Sequence, residues 1–145
     1  MNKALPIMLV CGDRWSASCN ITGGAISKAI FSARVKLQNG YTFSGGVIKD
    51  GSQATVYTPS GSISITQDGE YIVINCTIDN LDTTIVSNNV IFYLPSELTK
   101  VLQPGNYSYN ISVVEYISGE VNAQYYTPVY TNALGIFARV NGINI

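Results

Sequence analysis

Histidine is absent from this chain of 145 residues, and charged side chains make up only 12% of it, about half the usual share. The first absence removes Ser-His-Asp and Cys-His machinery, histidine general bases and zinc sites built on imidazole. The second, with a formal net charge of −1, excludes a broad electrostatic grip on nucleic acid or on an acidic membrane. The basic residues are scattered. Their tightest group, Lys28, Arg34 and Lys36, follows the polar phase of one strand and reads as a solvated or contact face. Apolar runs stay far below the roughly 18 residues of a membrane-spanning helix. Cysteine is scarce and odd in number, at Cys11, Cys19 and Cys76. No CxxC spacing points to metal or redox work. Cys19 and Cys76 fall on apolar strand phases and read as buried free thiols.

Further signals are weak on inspection. MNKALPIMLVCG imitates a secretion leader, but its apolar run is short and holds Pro6. Val10 is also larger than lipoprotein sites prefer before their cysteine, so residues 5–11 read as a first strand. Asp50-Gly51 and Asp68-Gly69 are turn dipeptides, and no carboxylate pair stands out for glycoside hydrolysis. Asp79, Asn80 and Asp82 lack the glycine and terminal glutamate of a calcium loop. Gly23-Gly24 and Gly45-Gly46 precede no GK[ST], so they are bends or bulges rather than phosphate loops. The expectation is a protein that is not an enzyme, with no cofactor and no bound metal.

What is present is period-two alternation. Trp15, Ala17, Cys19 and Ile21 share one face of a strand. Ala29, Phe31, Ala33, Val35 and Leu37 share a face of the next, opposite Lys28, Ser32, Arg34 and Lys36. Asn39-Gly40 is a hairpin signal. Short strands follow at 45–49, 54–58, 62–66 and 70–78, and VIFYL at 90–94 reads as a central strand because it is apolar throughout. Turns recur about every ten residues, the rhythm of a sandwich or barrel. PSELTKVL, 95–102, predicts a short helical crossover with Ser96 as N-cap, stopped by Pro104-Gly105. A strand then runs through Tyr107, Tyr109, Ile111 and Val113, Ser118-Gly119 closes a hairpin, and two strands follow, near 121–127 and at 134–140. The whole reads as one domain, 1–145.

Tyrosine is the residue in excess, with ten copies. Its bulk suits strand faces and interfaces alike. A surface that is polar but poor in charge suits a subunit covered by neighbours. The candidate contact residues are Ser108, Asn110 and Ser112, on the uncharged phase of the strand after Pro104-Gly105, with Tyr125, Tyr126 and Tyr130.

Three stretches carry a resemblance. They are Gly12-Asp13-Arg14-Trp15, then LPSELTKVLQPGNYSYNISV with Thr99, Leu102, Pro104, Gly105, Tyr107, Tyr109, Ile111 and Val113 in order, then Gly135-Ile136-Phe137-Ala138-Arg139-Val140. Across about residues 7–140 the chain resembles the small immunoglobulin-like domains of tailed-bacteriophage virion proteins. These include the N-terminal domains of baseplate upper proteins and related fibre-anchoring or head-associated modules. Asn110 stands where that family often has Asp, and residues 122–133 are longer and more aromatic than usual. The resemblance implies an all-β, immunoglobulin-like antiparallel sandwich with one short helical crossover. It also implies a structural virion component of tail, baseplate or head, assembled in the host cytoplasm. Its partners would be other virion proteins and further copies of itself, with no direct nucleic acid and no membrane. The alternative is a secreted or surface immunoglobulin-like module that recognises glycan or protein through its tyrosines.

Overall fold

The computed structural model describes residues 7–22, 26–51, 54–79, 81, 84, 87–116 and 124–138, with the backbone alone at 22, 115, 116 and 124–132. The strands are β1 Ile7–Val10, β2 Trp15–Thr22, β3 Ile26–Val35, β4 Tyr41–Ser44, β5 Val47–Asp50, β6 Ala54–Tyr57, β7 Ile63–Asp68, β8 Tyr71–Ile78, β9 Ser87–Leu94, β10 Gly105–Tyr116 and β11 Gln124–Phe137. A short helix, α1 Ser96–Thr99, leads from β9 toward β10.

The strands form a six-stranded sheet in the order β1-β11-β10-β3-β8-β7, a two-stranded sheet β2-β9 and a three-stranded meander β4-β5-β6. Every pairing is antiparallel except β1 with β11, where Ile7 lies beside Leu134 and Val10 beside Phe137. The sheets meet at Phe31 of β3. Its ring centroid lies 5.0 Å from that of Trp15 on β2 and 6.0 Å from that of Phe92 on β9. Within the large sheet it stacks on Tyr109 of β10 at 5.5 Å. Alternation puts Ala29, Ala33 and Val35 of β3, Ile72, Ile74 and Cys76 of β8, and Ile111 and Val113 of β10 into the same buried layer. Area removed from water on this scale is the main favourable term in folding. The meander adds Ile48, which is fully buried.

This is an immunoglobulin-like β-sandwich. One detail fits that architecture closely. Tyr107, near the start of β10, donates its phenol to the Gln103 carbonyl at 2.9 Å, the geometry of a tyrosine corner. Two residues on, where antibody domains place a disulfide cysteine, this chain has Tyr109 stacked on Phe31. None of Cys11, Cys19 and Cys76 is in a disulfide; Cys11 and Cys76 are buried, and Cys19, expected to be buried, is half-buried.

The crossover is clasped from the far end of the chain. Thr99 is buried; its hydroxyl donates to the Asp13 carbonyl at 2.8 Å and accepts from the Gly12 amide at 3.1 Å. Gln38 donates to the Lys100 and Leu102 carbonyls, and Cys11 Sγ donates to the Leu102 carbonyl. Burial pushes the Cys11 thiol pKa up, so it stays a neutral donor. The Gly-Asp-x-Trp and Thr-x-x-Leu elements are therefore the two halves of one clasp.

Several sequence expectations are corrected. VIFYL is not central: among the described residues β9 pairs only with β2, and it alternates, leaving Ile91 58% exposed. Five apolar residues in a row imitate a strand covered on both faces. Gly45-Gly46 does not begin a strand. With φ of +62° and +82° it is the two-residue turn joining β5 to β4, a strand the alternation did not reveal. Ser96 is not the N-cap; Pro95 holds that place in extended geometry with no side-chain cap, and Ser96 begins the helix. The helix is also shorter than 95–102. Its exit is tight, with Val101 and Leu102 amides reaching back three residues to Leu98 and Thr99. Where two strands were expected, near 121–127 and at 134–140, one continuous strand, β11, runs from Gln124 to Phe137. It accommodates Pro128 at a register shift beside Ile111 and Ser112, where a missing amide donor is tolerated. Tyr107 is only half-buried, so the core aromatic of β10 is Tyr109. The expected turn at Ser118-Gly119 lies outside the described residues.

Candidate functional site

Alternation on β10 turns Tyr109, Ile111 and Val113 inward, so Ser108, Asn110 and Ser112 point outward from the large sheet. Ser108 and Asn110 are exposed and Ser112 is half-buried. Register then builds a surface around them. Asn110 lies opposite Ser32 of β3, Ser32 opposite Asn75 of β8, and Asn75 opposite Ser64 of β7. One row of short amide and hydroxyl side chains thus crosses four adjacent strands. The next row runs Ser112, Ile30, Thr77. Together these residues floor a shallow concavity of about 390 Å³.

The cations of the β3 region do not charge this face, because each is tied to a carboxylate of its own chain. Lys28 pairs with Asp79 at 3.4 Å, Arg34 with Asp68 at 2.6 Å and Lys36 with Glu70 at 3.3 Å. Glu70 holds the Lys36 ammonium protonated to higher pH than usual. The Arg34 guanidinium also lies 3.8 Å from the Tyr71 ring centroid, a cation–π contact. Exposed pairs of this kind add little stability. Their effect is to cancel charge.

At the β1–β11 edge the same face becomes apolar. Met8 is 70% and Phe137 49% exposed. Both stand on the phase opposite buried Leu9, Leu134 and Ile136. The Phe137 ring covers Gly135, where an added Cβ would lie 3.1 Å from it. Sequence reasoning missed Met8 and Phe137, because both sit among apolar neighbours and nothing in composition marks which phase is wet. Ser32, Ser64 and Asn75 were readable as polar phases; only the register shows that they form one row with Asn110.

The tyrosines expected alongside fare differently. Tyr125, Tyr126 and Tyr130 lie on β11, their backbones opposite Glu115, Val114 and Ile111. Their side chains lie outside the described residues. Among the described residues no group of three or more Cys, Asp or Glu is placed to hold a metal ion. Nor, among the described residues, is any helix long and apolar enough to cross a membrane.

A second concavity, of about 360 Å³, lies where β6 and the approach to β7 meet the end of β9 and α1. Val56, Ile63 and Pro95 supply apolar walls, and Tyr57, Tyr93 and Glu97 supply polar groups. The Tyr57 phenol pKa is pushed up to about 12, first by burial and then by the neighbouring Tyr93 and Glu97. Tyr93 carries the Arg14 guanidinium 5.1 Å from its ring centroid.

No family model matches this chain, and no curated protein does. Among solved structures it is similar to Tim-1, at 14% identity over 100% of both chains with a TM-score of 0.27. It is also similar to the extracellular domain of the voltage-gated sodium channel beta4 subunit, at 10% identity over 97% of this chain and 96% of that one, with a TM-score of 0.24. The latter protein forms parallel homodimers and acts in cell–cell adhesion. Overlap this loose carries no argument about the present chain.

Proposed function

We propose that this protein is a non-catalytic assembly module that multimerises through the outer face of its large sheet. The particle it builds would be a tailed-bacteriophage virion, as the resemblance of its clasp and corner residues implies, with a place in tail, baseplate or head. One observation carries the reading. Among the described residues the outer face is polar along Ser64, Asn75, Ser32 and Asn110 and apolar at Met8 and Phe137, with Lys28, Arg34 and Lys36 paired in-chain.

Amides and hydroxyls both donate and accept. Such a face can therefore meet another uncharged face, including its own copy, without like-charge repulsion. Apolar residues beside a polar rim are the usual anatomy of a contact core. The test has two arms. Sedimentation and light scattering of the pure protein should show a multimer, and mass spectrometry of purified particles should find the chain. A monomer at all concentrations that is also missing from particles overturns the reading.

A further inference from the structure

We propose that the groove between Tyr57, Tyr93 and Glu97 binds a neutral pyranose ring of a glycan. The inference is independent of the assembly reading, because it uses β6, β9 and α1 rather than the outer face of the large sheet.

Its volume, about 360 Å³, falls within the usual range for ligand sites, roughly 300–1,000 Å³. Its lining joins two kinds of surface. Val56, Ile63, Pro95 and the half-buried Tyr57 ring form an apolar and aromatic wall, and the hydroxyls of Tyr57, Thr58, Ser60 and Tyr93 and the carboxylate of Glu97 open to solvent beside it. A pyranose has the same duality, with C–H surface for aromatic and apolar walls and hydroxyls that donate and accept. A carboxylate can accept from two neighbouring hydroxyls at once, and the un-ionised Tyr57 phenol supplies a donor.

Charge selects a neutral ligand. Glu97 opposes an anion. The Arg14 guanidinium already on the Tyr93 ring opposes a second cation.

The experiment is a backbone-amide NMR titration of the intact protein with the methyl pyranosides of glucose, galactose, mannose and N-acetylglucosamine. Concentrations would reach about 50 mM, to capture millimolar affinity. At least one glycoside should give saturable shifts confined to residues 56–63 and 93–97. Glu97→Gln and Tyr93→Ala should each weaken it about tenfold or more, whereas Asn110→Arg should leave it unchanged. Tyr57→Phe, which keeps the ring, should weaken it less than Tyr93→Ala. Three results would overturn the site: no saturable shift with any glycoside, shifts insensitive to both Glu97→Gln and Tyr93→Ala, or tighter binding of an anionic sugar than of every neutral one.

Discussion

The two faces of β10 are one residue apart in sequence and opposite in chemistry. Tyr109, Ile111 and Val113 are sealed into the core; Ser108, Asn110 and Ser112 look outward onto a sheet cleared of net charge. The inner face is over-determined, since Tyr109 stacks on Phe31 and Phe31 in turn touches both sheets. The outer face adds nothing to that network. Fold and contact can therefore be varied separately on a single strand. A substitution inward should change stability alone, and one outward should change association alone.

The largest expected effect lies on the inner side. Phe31→Ala removes the ring joining Trp15, Phe92 and Tyr109, and should cost about 3–5 kcal/mol by chemical denaturation. A loss below about 1 kcal/mol would mean that the sheets do not meet there. Thr99→Val, similar in size, removes the buried hydroxyl that bonds the half-buried Gly12 amide and the Asp13 carbonyl, and should cost about 1–3 kcal/mol. Tyr107→Phe keeps the half-buried ring and loses only the bond to Gln103, so about 1 kcal/mol is expected. Asn110→Arg should move stability by no more than about 0.5 kcal/mol, yet should shift the protein toward monomer in sedimentation, because it places a charge in the neutral row. An Asn110→Arg protein that is as multimeric as the parent would erase the contrast between the faces.

Alkaline titration sharpens the comparison further. Folding raises the pKa of Tyr57 to about 12, and burial raises those of Tyr107 and Tyr109 as well. A raised phenol pKa means that the folded state holds its proton where the unfolded chain has lost it. This contribution is complete below about pH 10 and is lost as pH climbs toward 12. Urea midpoints measured across that window should fall, and Tyr57→Phe should make the fall shallower.

Much of the inner face was legible in the sequence. The alternation of Ala29, Phe31, Ala33 and Val35, and of Ile72, Ile74 and Cys76, is a local property that each strand displays on its own. Pro104-Gly105 marked the start of β10, whereas the corner bond of Tyr107 to Gln103 appears only in the structure. The failures share a cause, which is information held between strands. VIFYL looked doubly buried because nothing in it shows that β9 has a single neighbour. The row Ser64–Asn75–Ser32–Asn110 depends on three registers at once. The groove of Tyr57, Tyr93 and Glu97 is assembled from residues 56–63 and 93–97, segments with no common pattern. Tyr107 and Tyr109 share a phase, so alternation alone does not show that only Tyr109 is buried.

The parallel pairing of β1 with β11 sets a schedule for the newborn chain. Ile7 must wait for Leu134, 134 − 7 = 127 residues later, which at ribosomal speeds of about 5–20 residues per second is roughly 6 to 25 s. Throughout that interval Leu9, buried in the finished fold, has no strand beside it among the described elements. A chaperone that captures short apolar segments would find its target there, and release would coincide with arrival of the final strand.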